Sequence, residues 1–233
     1  MALRSIGIRV GSTSTYLRPE PSRSRLSPRR PFRPRELRGS GITPRKALGQ
    51  HFLTDRNVVA KIVAACELAP DDVVVEVGPG LGVLTERLAE AAGRVIAVEV
   101  DAKLVESLRE RFAGTPNVTL VESDVLAVTP ASLLTQAGLA DEGDYGVVGN
   151  LPYNIGAAVL RHFLEAEHPP RWLVVMLQRE VAASITARPG KLGLLALSVQ
   201  VYAQPRRLFN VPPAAFYPPP KVVSSVIRLE LRA

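Results

Sequence analysis

At 233 residues, 46% of them hydrophobic, the chain is long enough for one large domain, or one domain with an appendage, around a sizeable core. Its single cysteine, Cys66, excludes an internal disulfide and a multi-thiolate zinc site and fits a reducing compartment. No apolar run approaches the ~18 residues needed to cross a bilayer. The net charge of +7 is unevenly spread: residues 1–40 hold 10 Arg against 2 Glu, residues 41–160 hold 9 basic and 16 acidic groups, and residues 161–233 hold 10 basic and 4 acidic groups. That asymmetry suits a polyanion approaching one side of the fold, with ordinary charge scatter plus a solvated tail as the alternative.

Residues 1–44 are rich in Arg, Pro and Ser and show neither a helical nor a strand period, which predicts a disordered basic extension. Three origins compete for it: an organellar transit peptide, a basic arm that contacts phosphates, or a start codon assigned too early. The expected location is cytoplasmic, or mitochondrial or plastid if the extension is a transit peptide. The folded domain is expected over residues 45–233. Apolar residues at helical spacing predict a helix over 57–68. Strands are expected at 73–77, 94–100, 118–123, 145–148, 171–177, 206–211 and 222–231, with helices between most of them, including 81–92 and 102–113. Alternating strands and helices, with near-continuous apolar strands, predict an α/β fold whose mostly parallel sheet is covered on both faces. The connection 212-PPAAFYPPPK-221 is too proline-rich for a helix, so the last two strands are expected to pair antiparallel.

The first strand ends in 76-EVGPGLGVLT-85. Gly78, Gly80 and Gly82 make a tight strand-to-helix turn that lets a ligand approach the backbone. The dinucleotide pattern G-x-G-x-x-G would need glycine at the position of Val83, which argues against a pyrophosphate. Glu99 closes the second strand, where its carboxylate suits the two hydroxyls of a ribose, and Asp124 closes the third, where it suits an adenine amino group. Each alone reads first as a solvated acid at a strand end. Together they mark one crevice, and the ligand that fits is an adenosine compound without a pyrophosphate, S-adenosylmethionine being the obvious candidate.

The fourth strand delivers 150-NLPYNI-155 into the same crevice. The exocyclic amine of adenine is a poor nucleophile because its lone pair is delocalised into the ring. The Asn150 amide oxygen and the Leu151 carbonyl could accept its two hydrogens and so favour a pyramidal nitrogen. Pro152 limits the loop's freedom, and Tyr153 offers a stacking face worth ~1–3 kcal/mol per base. No strong base is needed, because the proton becomes acidic only after methyl transfer, and alignment can supply roughly 7–11 kcal/mol of the barrier.

With 48-LGQHFL-53, 99-EVD-101, 122-ESDVL-126 and 216-FYPPPKVVSS-225 in order beside the two motifs above, residues 45–231 resemble the ribosomal RNA adenine dimethyltransferase family. The forms 150-NLPYNI-155 and 218-PPPKV-222 look like its small-subunit branch rather than its large-subunit one. The resemblance implies a Rossmann-like class I S-adenosylmethionine-dependent methyltransferase with a seven-stranded, mostly parallel sheet and an antiparallel last strand. It implies transfer of methyl groups to the N6 amines of two adjacent adenosines near the 3′ end of small-subunit ribosomal RNA, during ribosome biogenesis. The implied partner is that RNA or its pre-30S-type particle, with a monomeric enzyme and neither metal nor membrane. The alternative is an assembly or organellar transcription factor that keeps the fold without catalysis. Cofactor contacts are implied at His51, Leu53, Gly78, Glu99, Asp124 and Asn150. Catalysis is implied at Asn150 and Tyr153, and substrate contacts at Leu151, Pro152, Tyr153 and Phe216, whose ring would stack on the target base. Arg206, Arg207 and Lys221 are candidate phosphate contacts. His51 stands where the family more often has Asn. Family members usually continue into a small helical domain, which the resemblance implies is missing here.

Overall fold

A computed structural model describes residues 44–45, 49–140 and 143–232. The expectation of a disordered extension lies, apart from Pro44, outside the described residues. A two-residue strand β1 (Phe52–Leu53) precedes helix α1 (Arg56–Cys66). Asp55 caps that helix by accepting from Asn57 N at 2.8 Å and Val58 N at 3.2 Å, satisfying two otherwise orphaned donors. Val58, Val59, Ile62 and Cys66 form its buried stripe.

The main elements then alternate: β2 (Val73–Val77), α2 (Val83–Ala91), β3 (Arg94–Glu99), α3 (Ala102–Phe112), β4 (Val118–Glu122), α4 (Pro130–Gln136), β5 (Gly146–Asn150), α5 (Gly156–Leu164) and β6 (Trp172–Gln178). Two short helices follow, α6 (Arg179–Ile185) and α7 (Leu194–Gln200), and then the strands β7 (Ala203–Val211), β8 (Phe216–Tyr217) and β9 (Ser224–Leu231). Seven strands form one sheet in the order β4-β3-β2-β5-β6-β9-β7. Neighbours from β4 to β6 pair in parallel, while β9 pairs antiparallel with both β6 and β7. The expected antiparallel last strand is present, inserted between β6 and β7 so that β7 is the edge.

Side chains of the central strands alternate between two cores, as the pleat requires. Val75, Val77, Ile96, Val98 and Val147 pack with residues of α4, α5 and α6, whereas Val74, Val95, Val148 and Val174 pack with α1 and α2. Burying each such Val or Ile is worth about 1.5–3 kcal/mol, and burial on both faces is what permits valine at successive positions.

One pairing was not legible in the sequence. Inside the proline-rich connection, β8 pairs antiparallel with β1, Phe52 opposite Tyr217 and Leu53 opposite Phe216. Two-residue strands carry no usable period, so only long-range contact defines them. The chain runs outward from β2 through β3 to β4 and then returns to β5 on the other side of β2. That reversal opens a crevice at the carboxyl ends of β2 and β5, where open α/β sheets bind ligands.

Candidate active site

One cavity occupies this crevice, and its lining includes His51, Glu76, Gly78, Glu99, Asp124, Asn150, Pro152 and Tyr153. Its floor is apolar, supplied by Phe52, Leu81 and Leu104, which pack as a small cluster. The glycine turn after β2 has left-handed φ values of 68° at Gly78, 56° at Gly80 and 72° at Gly82. These glycines serve different ends. A Cβ on Gly82 would lie 2.7 Å from Leu108 and 2.8 Å from Phe112, so this residue admits α3 against the turn. A Cβ on Gly78 would have the Asn150 carbonyl oxygen as its nearest neighbour, at 4.0 Å, so this residue opens the backbone towards the end of β5.

Glu99, at the end of β3, is 6% exposed. One oxygen accepts from Gly80 N at 3.2 Å, and the other accepts from Val100 N and Asp101 N, each at 3.0 Å. The carboxylate therefore ties the glycine turn to the start of α3 and retains acceptor capacity towards the cavity. Burial pushes its pKa above the ordinary carboxylate value, with the three backbone donors opposing the rise. Asp124 is exposed beyond β4, and its Oδ1 accepts from Leu126 N at 3.0 Å, capping a single 3₁₀ turn.

Asn150 ends β5. Its Nδ2 donates to the His51 carbonyl at 2.9 Å. With the amide's donor so engaged, its oxygen is the acceptor left for a ligand. Leu151 is buried, its N–H donating to the Met176 carbonyl at 3.1 Å, and Ile155 N closes the loop onto the Pro152 carbonyl at 3.1 Å. The loop is thus anchored by β6 at one end and by its own turn at the other. Tyr153 is held twice: its hydroxyl bonds Ser224 Oγ at 2.9 Å, and its ring stacks on His51 with centroids 5.9 Å apart and planes 30° apart. Burial raises the phenol pKa. His51 is fixed in turn by Nδ1, which donates to the Pro218 carbonyl at 2.8 Å.

The structure brings His51, Leu53, Gly78, Glu99, Asp124, Asn150, Leu151, Pro152 and Tyr153 around one cavity. Phe216 is the exception and a correction. Its ring is 4% exposed and packs in the core with Leu53, Val58 and Ala215 rather than on the cavity wall. The β1–β8 pairing turns it inward opposite Leu53, and His51 is the ring that faces Tyr153. Arg206 and Arg207 stand exposed on the edge strand β7, and Lys221 is exposed beyond β8; none borders the cavity.

Glu76 was missed by sequence reasoning. It is 1% exposed and borders the cavity, and its Oε2 has no hydrogen-bond partner. Burial pushes its pKa up to about 8, with Glu99 adding to the rise and the Thr85 hydroxyl opposing it. The signal available was an acid in the middle of an apolar strand, 73-VVVEV-77. Among the described residues no helix is long and apolar enough to cross a membrane.

A family model described as ribosomal RNA adenine dimethylase matches residues 41–233. A ribosomal RNA small subunit methyltransferase A from Dehalococcoides mccartyi is 50% identical over 193 residues, covering 83% of this chain. The match spans 65% of that relative's length. Among solved structures, a 23S rRNA methyltransferase superposes with a TM-score of 0.69 at 34% identity, over 78% of this chain and 70% of that one. A dimethyladenosine transferase from Plasmodium falciparum superposes with a TM-score of 0.68 at 24% identity, over 78% of this chain and 64% of that one, a likeness of fold.

Proposed function

Because the chain belongs to the ribosomal RNA adenine dimethylase family, we propose that it transfers methyl groups from S-adenosylmethionine to the N6 amines of two adjacent adenosines in small-subunit ribosomal RNA. The observation that carries this reading is the orientation of Asn150. Its Nδ2 is engaged by the His51 carbonyl, so its oxygen is left to accept from an amine brought into the crevice.

The residues present fit the cofactor. Gly78 leaves room beside the backbone, Glu99 keeps acceptor capacity for ribose hydroxyls, and the Phe52–Leu81–Leu104 floor suits an apolar base face. When bound, S-adenosylmethionine supplies a methyl group on a positively charged sulfur, an electrophile that leaves a neutral thioether behind. The protein's part is to bind, orient and exclude water. Asn150 Oδ1 and the Leu151 carbonyl hold the two amine hydrogens, which directs the nitrogen lone pair out of the ring plane. Tyr153, pinned by Ser224 and His51, keeps one ring face for the target base, which must leave its stack at a cost of a few kcal/mol. The higher identity to the small-subunit relative than to the 23S enzyme supports the small subunit as substrate.

The test is to incubate the protein with labelled S-adenosylmethionine and small-subunit particles lacking the modification, then map the label by primer extension. Label on adjacent adenosines near the RNA 3′ end is expected. Cofactor binding by calorimetry without any label would overturn the catalytic reading in favour of an assembly factor.

A further inference from the structure

The proline-rich connection between β7 and β9 places no ring on the cavity wall, since Phe216 turns into the core. The chain nevertheless fixes that connection along its whole length. The Ala215 carbonyl accepts from Thr54 N at 2.8 Å and from Asp55 N at 3.2 Å, at the entry to α1. Phe216 and Tyr217 pair with β1. The Pro218 carbonyl accepts from His51 Nδ1 at 2.8 Å, and the Val223 carbonyl accepts from Arg179 N at 3.0 Å, where α6 begins. A segment tied down at four places is a support, and what it supports is the loop after β5.

Two of its contacts converge on Tyr153. Ser224, the first residue of β9, is fully buried and lies between Gln178 of β6 and Val211 of β7. Its Oγ shares a 2.9 Å hydrogen bond with the Tyr153 hydroxyl. His51, oriented by the Pro218 carbonyl, covers one face of the same ring. Ser224 does not border the cavity, whereas Tyr153 does. A ring held only at its Cβ and by a stack whose planes lie 30° apart still swings about its side-chain torsions. A hydrogen bond at the far end removes that swing, because the hydroxyl then has one fixed place. Ser225 is the natural comparison. It is equally buried, but pleating sends it to the opposite face, where its Oγ donates to Asn210 Oδ1 at 2.7 Å.

We propose that Ser224 is a positioning residue for methyl transfer: through the Tyr153 hydroxyl it fixes the ring on which the target adenine stacks. The proposal rests on the adenine-methylation reading above. Asn150 shares the same support, for its Nδ2 donates to the carbonyl of the His51 whose ring meets Tyr153. The amide that holds the amine and the ring that holds the base are thus set against one another by distant parts of the chain. Alignment of bound groups is a large source of rate in such transfers. Loosening the ring leaves the phosphate contacts and the cofactor site in place, so the loss falls on kcat rather than on KM.

Steady-state methylation of small-subunit particles lacking the modification, beside calorimetric binding of S-adenosylmethionine, tests this on four variants. Ser224→Ala should lower kcat by about 3–10-fold, the worth of one hydrogen bond, with the particle KM and the cofactor affinity within about twofold. Tyr153→Phe removes the same bond from its other side and should lower kcat by a like factor. The double variant should be no slower than the slower single one, since both changes delete one contact. Ser225→Ala should lose Tm but keep kcat near native, which separates alignment of the ring from loss of a buried strand hydroxyl. A near-native kcat in Ser224→Ala, losses that multiply in the double variant, or an equal kcat loss in Ser225→Ala would overturn the proposal. If Ser224→Ala does not fold, Tyr153→Phe decides, and a near-native kcat there overturns it. Failure of the unaltered protein to methylate the particles would instead remove the adenine-methylation reading itself.

Discussion

Asn150 shows how much one side chain's orientation decides. An amide has one donor and one acceptor end, and the His51 carbonyl at 2.9 Å engages the donor. The acceptor is left for a donor brought into the crevice, which an unconstrained amide would present only part of the time. Asn150→Ala is therefore expected to lower kcat by at least about 100-fold, the scale of losing one preorganised polar contact to a reacting group. Cofactor affinity should stay within a few-fold, as measured by calorimetry beside single-turnover methylation; methylation at a near-native rate would mean the amide has no such role. Asn150, Gly78 and Glu99 could be picked from the sequence as lining the crevice because each stands at a strand's carboxyl end, where open α/β sheets bind ligands. Phe216 was misplaced, since a residue in a proline-rich loop gives no sign of which way its ring turns.

At the scale of elements, the glycine turn between β2 and α2 works as a hinge between packing and binding. Gly82 answers to α3, whose Leu108 and Phe112 occupy the space a side chain would need, and it also holds a left-handed φ of 72°. Gly82→Ala should destabilise the fold by about 1–3 kcal/mol through overpacking alone. Thermal melts would register this as a lower Tm, and an unchanged Tm would show that α3 yields easily. The edge strand β7 poses a different question. It began three residues earlier than its apolar pattern suggested, at Ala203 rather than residue 206, because Ala203 pairs with Leu231 across β9. Its exposed Arg206 and Arg207 present two cations in sequence along an unpaired edge. Replacing both with Glu should weaken binding to small-subunit particles and reduce the slope of log affinity against log salt by about 1.4–1.8, the loss of two phosphate contacts. Filter binding at several salt concentrations reads that slope directly. An unchanged slope would move the RNA elsewhere on the surface.

For the molecule as a whole, the buried acids of the crevice couple stability to pH. Glu76 keeps its proton in the folded state up to about 8, whereas the ordinary value is 4.5. Between those values the folded protein binds more protons than the unfolded chain, so stability falls as pH rises through the window. The contribution is at most about 1.4 kcal/mol per pH unit, and Glu99, also shifted upward, acts in the same direction. Denaturant titrations from about pH 5 to about pH 8 should show a decline that is shallower in Glu76→Gln. Equal slopes in the two proteins would mean that Glu76 is solvated in solution. The sheet tolerates such an acid because valines around it on both faces hold the strands together without its help.

The sequence by itself determined the α/β class, the seven main strands within a few residues, the antiparallel last strand and the strand-end residues of the crevice. Those features rest on local information: side-chain period, glycine and proline placement, and motif order. What the tertiary structure decided depends on contacts between residues far apart in the chain. It inserted β9 between β6 and β7, paired β1 with β8, turned Phe216 into the core and set His51 against Tyr153. It also buried Glu76 on the cavity wall with its Oε2 unpaired, because the burial of an acid and what surrounds it are set by neighbouring strands and helices rather than by the residues beside it in the chain.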